Sequence, residues 1–342
     1  MNTILVTGGT GFVGSWVVKG LLEKGYKVRV TTRNTNNKEK FKHLFELTKS
    51  ENLEFFEADL LKEGSYNTAA EGCDAIMHIA SPFILKYKDA QKELIEPALN
   101  GTRNVLQAAS SSSTVKKVVL TSSVAAVHGD NIDMKNQGLT EFTEEHFNTS
   151  SSLKHQPYSY SKTIAEKEAW SISKKQKQWN LVVINPSFVL GPPLSKQSKS
   201  GTFSLVGDIL SGKFKTGAPK LTFGYVDVRD VANAHIQALE NEKAQGRHIL
   251  AERCGDFIEL SNSIETAFPK RFKLPKSESP KLMLLMFGWA FGATYKFVKN
   301  NVGYPLKLNT TKSKKELGLT YTDFDTTVKD MVNKMDELGM IK

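Results

Sequence analysis

Short apolar runs rich in β-branched residues recur through the first 190 residues, separated by longer stretches whose apolar positions return at helical spacing. TILVT, KVRVTT, NLEFFEA, DAIMHIA, VKKVVLTSS and NLVVINPS are the strand runs, and a first helix is predicted from about Phe12 to Lys24. Such alternation predicts right-handed βαβ units around a parallel sheet, with the ligand at the carboxyl ends of the strands. After Pro186, GPPLSKQSKSGT reads as a loop suited to a mobile cover or a connection. YVDVRDVANAHIQALE then predicts a short strand running into a helix, and RHILAE another strand. From about Arg253 helices dominate, interrupted by Pro269, Pro275, Pro280 and Pro305. The expected architecture is α/β: a Rossmann-like, doubly wound parallel sheet in residues 1–190 with 228–252, and a smaller, mostly helical lobe in 191–227 with 253–342.

Composition narrows the class. A chain of 342 residues with 39% hydrophobic content buries a substantial core. Its net charge of +10 comes from lysines spread along the chain, and no helix-turn-helix, zinc or RNA-binding signature accompanies it. No nucleic-acid partner is therefore expected, whereas an anionic cofactor or substrate would be drawn by the field. Only Cys73 and Cys254 are present, which points to a reducing cytoplasm. The apolar stretch Leu282 to Val298 is about a turn short of a comfortable span and carries Lys296 within it. A buried or pocket-lining helix is expected there, with no stable membrane insertion.

TGGTGFVG places Gly8, Gly11 and Gly14 directly after the first strand and at the start of the first helix. Glycines there permit a tight turn, close approach to a pyrophosphate and close helix packing, while the helix amides face the phosphates. Thr10, Phe12 and Val13 belong to the same motif and are counted among its cofactor contacts. The second strand ends at TTRN, where a free ribose hydroxyl would call for an acidic residue. Arg33 stands there instead, and Lys40 follows on the next helix, so a 2′-phosphate and NADP(H) are favoured over NAD(H). Asp59, beside Leu60 at the end of the third strand, suits either an adenine amino group or a helix cap.

The helix-like run HQPYSYSK carries Tyr158 and Lys162 four residues apart on one face. A free tyrosine titrates near ~10, about 4 kcal/mol from neutrality, and one cation ~4 Å away at an effective dielectric of ~20 supplies that order of energy. Lys162 is therefore expected to lower the phenol. Tyr160 in the same run lies two residues from the lysine and points elsewhere. Thr121, Ser122 and Ser123 end the fifth strand, and Ser123 lies 35 residues before Tyr158. A strand-end hydroxyl there can polarise a carbonyl oxygen that the tyrosine protonates.

With TGGTGFVG, EADL, HIASPF, PALNGTRNVL, VVLTSS, PYSYSK, NPSFVLGP and YVDVRDVA in this order, the chain resembles the extended short-chain dehydrogenase/reductases of the NAD-dependent epimerase/dehydratase type. Within them it is similar to the branch of dihydroflavonol reductases, cinnamoyl-CoA reductases and NADPH-dependent carbonyl reductases. The resemblance implies a catalytic triad of Ser123, Tyr158 and Lys162. It also implies cofactor contacts from Ala80, Ser81, Asn100, Pro186, Ser187 and Val189, and no metal. Asp227, Arg229 and Asp230 are expected to join the two lobes, and His235 to sit in the core. Where flavonoid reductases place an asparagine after a TSSAGTV-like run, this chain has TSSVAAVHGD with His128, which argues against a dihydroflavonol. Phe83, His128 and Phe188 are the pocket candidates, although His128 also suits a solvated loop.

The expected activity is reduction of a small-molecule aldehyde or ketone to an alcohol by a monomer or homodimer. A hydroxysteroid dehydrogenase or an NAD-dependent nucleotide-sugar epimerase would use the same triad. A non-enzymatic NADP sensor is disfavoured by the completeness of the triad.

Overall fold

The computed structural model describes residues 2–81, 87–198 and 200–341. Its strands are β1 (Thr3–Thr7), β2 (Lys27–Thr32), β3 (Leu53–Glu57), β4 (Ala75–His78), β5 (Lys117–Thr121), β6 (Asn180–Pro186), β7 (Phe188–Leu190), β8 (Phe223–Asp227), β9 (Gly246–Leu250) and β10 (Arg253–Gly255). The six apolar runs of the N-terminal half become β1 to β6. Together with β9 they form one parallel sheet in the order β3-β2-β1-β4-β5-β6-β9. The order reverses at β1, and the crevice between the carboxyl ends of β1 and β4 is where an open α/β sheet takes its ligand. A second sheet, β10-β8-β7, flanks it; its β7 and β8 run parallel, although they lie more than thirty residues apart.

The helices are α1 (Phe12–Glu23), α2 (Lys42–Phe45), α3 (Asn67–Ala70), α4 (Glu96–Ser111), α5 (Ile132–Asn136), α6 (Pro157–Ser173), α7 (Gly201–Leu210) and α8 (Val228–Glu240). The C-terminal segment adds α9 (Phe257–Ala267), α10 (Lys281–Phe287), α11 (Tyr295–Asn301), α12 (Thr311–Glu316) and α13 (Phe324–Glu337). Successive strand residues point to opposite faces, and both faces are covered. Ile4, Val6, Met77, Val119 and Val182 pack on one side with Val17, Val18 and Leu21 of α1 and Val231 and Ala234 of α8. Leu5, Ile76, Val118, Leu120 and Val183 pack on the other with Val105, Leu106 and Ala109 of α4 and Ala169 of α6. Burial on both sides explains why the central runs β1, β4, β5 and β6 are largely apolar, whereas the edge strand β3 buries none of its residues.

Polar contacts tie α8 to the C-terminal segment. Arg229 bridges Asp227 and Asp330 of α13, each at 2.7 Å. Asp230 accepts from the Thr322 backbone N–H and hydroxyl at 2.7 and 2.9 Å. His235 is fully buried, with Nδ1 donating to the Val231 carbonyl.

Two expectations are corrected. Lys40 lies in a 3₁₀ turn (Lys38–Phe41) rather than on a regular helix. The stretch Leu282 to Val298 is not one buried helix: Gly292, at φ +78°, ends a 3₁₀ turn (Gly288–Phe291) between α10 and α11, and no residue of α10 is buried. Among the described residues no helix is long and apolar enough to cross a membrane.

Candidate active site

A cleft of about 1360 Å³ opens at the carboxyl ends of the strands. Its floor is the glycine turn. Gly8 takes φ +70°, and a Cβ there would sit 2.7 Å from the Ala80 nitrogen. A Cβ on Gly14 would lie 2.1 Å from the Gly8 carbonyl oxygen, so any side chain would force α1 off the sheet. No side chain caps α1 at Gly11, which leaves first-turn amides for an anion. With Gly8, Thr10, Gly11, Phe12, Val13 and Gly14 all on the cleft wall, this cradle fits a dinucleotide pyrophosphate.

The rim over β2 carries Arg33 and Lys40, both exposed and both lining the cleft. Glu39 lies on the same rim, so the local balance is one positive charge rather than two. Asp59 and Leu60 line the adjacent wall. Asp59 does not cap a helix; its Oδ1 accepts from the Leu61 N–H at 2.9 Å within a turn. Ala80 and Ser81 continue the wall from β4.

Tyr158 sits in the first turn of α6 behind Gln156, which adopts the left-handed conformation at φ +52°. Lys162 follows one turn later, buried, and donates from Nζ to Ser81 Oγ at 2.9 Å. Burial pushes the Tyr158 phenol up to about 12. Burial also pulls the Lys162 ammonium down to about 8, against the opposite pull of Glu166. The expected lowering of the phenol by the lysine is therefore not the dominant influence; loss of water around the phenol outweighs it.

The two serines after β5 divide their work. Ser122 is buried and donates to Glu166 Oε2 at 2.5 Å. Ser123 Oγ accepts from the Ala125 N–H at 3.1 Å, which leaves its single proton to give to a substrate. Thr121 lines the cleft and bonds His235 Nε2 at 2.6 Å. Because His235 Nδ1 donates to a carbonyl, Nε2 accepts and the threonine is the donor.

Beneath this group lies a buried charge pair that the sequence reading missed. Glu166, fully buried one turn beyond Lys162, contacts Arg247 Nε at 2.5 Å. It also accepts from Asn185 Nδ2 at 2.7 Å, and the same amide donates to the Ser123 carbonyl at 3.1 Å. A second missed group centres on Asp130. Its carboxylate accepts from His155 Nε2 (2.8 Å), Gln156 Nε2 (2.7 Å), Asn300 Nδ2 (2.7 Å) and Asn301 Nδ2 (2.6 Å).

On the β6 side, Pro186, Ser187, Phe188 and Val189 all line the cleft. The Ser187 hydroxyl is buried and has no hydrogen-bond partner among the described residues, an orphan that a bound ligand would satisfy. Phe188 packs against Phe223, whose ring centre is 5.8 Å away. His128 is on the cleft wall rather than in a solvated loop, stacked on Phe142 at 5.2 Å, and burial holds its pKa down to about 4. Phe83 lies outside the described residues. Asn100 is not brought to the cleft: it falls on the exposed stripe of α4 with Arg103 and Gln107. Asn104, one turn on, is buried and pins the Asp59–Gly64 loop through Lys62 O at 2.6 Å. Tyr160 stays off the cleft, while Gln156, Asn131, Leu221, Phe297 and Asn301 join its lining.

The alkaline behaviour of the site follows from these groups. Below about 8 Lys162 carries its charge, and Tyr158 keeps its proton up to about 12. The kcat/KM of any reaction that draws on the charged Lys162 is expected to be level below about pH 8 and to fall about tenfold per unit above it. Replacing Glu166 with Gln should move that limb to lower pH. A profile level to pH 10 would exclude the charged lysine from the rate.

Residues 4–251 match the family described as the NAD dependent epimerase/dehydratase family. The chain is 35% identical to cinnamoyl-CoA reductase CAD2 of Medicago truncatula, over 98% of this chain and 96% of that protein. It is 34% identical to a bifunctional dihydroflavonol 4-reductase/flavanone 4-reductase of Malus domestica, over 79% of this chain and 77% of that one. Its fold is similar to the crystal structure of Gre2 in complex with NADPH from Candida albicans, with a TM-score of 0.81 and 32% identity over 99% of both chains. The glycine cradle, the strand-end serine and the Tyr/Lys helix thus stand in a chain that belongs to the NAD dependent epimerase/dehydratase family.

Proposed function

We propose that this chain is an NADPH-dependent reductase that converts an aldehyde or ketone to an alcohol, with Tyr158 as general acid. The observation that carries the reading is the meeting of Ser123, Tyr158 and Lys162 in one cleft with the glycine cradle and the Arg33/Lys40 rim. Similarity to cinnamoyl-CoA and dihydroflavonol reductases, and to Gre2 bound to NADPH, supports it.

When bound, the reduced nicotinamide supplies a hydride from C4 to the carbonyl carbon. Arg33 and Lys40 would hold its 2′-phosphate, the first-turn amides of α1 its pyrophosphate, and Lys162 its ribose hydroxyls. Ser123 gives its one free proton to a hydrogen bond with the carbonyl oxygen, stabilising negative charge as it develops. Tyr158 then transfers its phenolic proton to that oxygen. A pKa of about 12 does not prevent this, because an alkoxide is a much stronger base than a phenolate. The raised value also keeps the acid loaded across the neutral range. Lys162, with one N–H on Ser81, sets a positive charge on the same face of α6 as the phenolate that remains.

A screen of aldehydes, diketones, keto esters and flavonoids for NADPH consumption, with NADH in parallel, tests this directly. Failure to oxidise either cofactor across the panel would remove the assignment. Release of tightly held NAD on denaturation would favour nucleotide-sugar chemistry instead. Arg33→Ala should raise the KM for NADPH about tenfold to a hundredfold and leave that for NADH unchanged, the loss expected for one charge-assisted phosphate contact. Equal effects on both cofactors would place Arg33 outside phosphate recognition.

A further inference from the structure

Six large apolar side chains between residues 282 and 295 face solvent: Leu282, Met283, Met286, Phe287, Trp289 and Tyr295. Leu282 and Trp289 are 68% and 74% exposed. The four on α10 recur at helical spacing (282, 283, 286, 287), so they form one stripe rather than a scatter. Elsewhere, exposed large hydrophobics among the described residues are single and dispersed, and need no explanation.

Charge around the stripe is one-sided. From Ser279 to Leu306 the chain carries three lysines and no acidic residue, and Glu278 just before it is paired with Lys220. Lys296 and Lys299 are exposed on α11, directly beyond Tyr295. The surface is also built in advance: Lys281 donates to the Lys299 and Val302 carbonyls and lies over the Tyr304 ring, tying α10 to α11.

We propose that the α10–α11 face is a docking surface for an anionic lipid bilayer, with Phe287 and Trp289 entering the headgroup boundary and Lys296 and Lys299 meeting the lipid phosphates. An apolar stripe with aromatic residues and flanking lysines is the pattern that lies in a membrane interface without crossing it. A second copy of the chain is a poorer occupant. A two-fold contact would set the stripe on itself and bring the same lysines together with no acidic partner. Phe297 of α11 lines the cleft, so the docking face and the cleft wall share one helix. The docking itself is independent of the reaction.

Flotation of the full chain with vesicles tests this without any activity measurement. Phosphatidylcholine vesicles containing phosphatidylserine should bind the protein, phosphatidylcholine alone should not, and added salt should weaken binding. Lys296→Gln with Lys299→Gln should weaken it about thirtyfold, and Phe287→Ser with Trp289→Ser about tenfold or more. Thermal midpoints should not move, because all four side chains are at the surface. No binding to phosphatidylserine vesicles, or binding by the aromatic pair variant equal to wild type, would overturn the proposal. So would a concentration-dependent dimer that the aromatic pair variant abolishes, which would assign the face to a second copy.

Discussion

Tyr158→Phe is expected to lower kcat for carbonyl reduction by about 10²- to 10⁴-fold and to leave NADPH affinity essentially unchanged. The substitution removes one oxygen and keeps the ring, so the first turn of α6 retains its packing. What is lost is the only proton that the proposed mechanism transfers to the substrate oxygen. Tyr160→Phe is the matched control: two residues away and off the cleft, it should turn over at close to the wild-type rate. Steady-state rates combined with NADPH titration by fluorescence separate chemistry from binding. A Tyr158→Phe rate within about tenfold of wild type would mean that another group supplies the proton.

Glu166→Ala is expected to cost about 3–5 kcal/mol of stability, because it strands the buried Arg247 guanidinium without its counter-charge. Both side chains are almost wholly shielded from water, so solvent cannot replace the missing partner. Urea denaturation followed by circular dichroism measures the loss, and a midpoint equal to wild type would contradict it. Glu166→Leu with Arg247→Met should recover much of that stability, since the guanidinium is no longer left buried without its partner. It should not recover turnover. Ser122 and Asn185 would still lack the acceptor that holds them, and Asn185 steadies the Ser123 carbonyl. The pair of variants thus separates the folding role of the ion pair from its positioning role.

The sheet was legible because βαβ units are local: each apolar run and the helix after it lie within about forty residues, and burial on both faces makes the runs continuous. The glycine turn was legible for the same reason, being a strand, a turn and a helix in sequence. Ser123, Tyr158 and Lys162 could be ordered from spacing alone, but what surrounds them could not. Glu166 meets Arg247 across 81 residues, and Asp130 meets Asn301 across 171. Nothing in the local pattern marks such partners before the chain is folded. Asn100 lies off the cleft by helical phase: only the burial of α4 reveals that it belongs with Arg103 and Gln107, while Asn104 turns inward. The direction of the Tyr158 shift was missed because desolvation depends on how deeply the phenol sits, which residue spacing does not express. The exposed α10 was misread because an apolar run looks the same whether it is covered or not.

The four donors on Asp130 come from two places: the turn ahead of Tyr158 and the end of α11. For protein engineering this sets a rule of grafting. A chimera that imports residues beyond 253 from a relative, in search of a new substrate range, must bring amide side chains at positions 300 and 301. Without them a buried carboxylate keeps only half its donors, and the turn that presents Tyr158 loses its anchor to the opposite wall. Shuffling experiments should therefore recover active hybrids chiefly from parents that share this asparagine pair, whatever their overall identity.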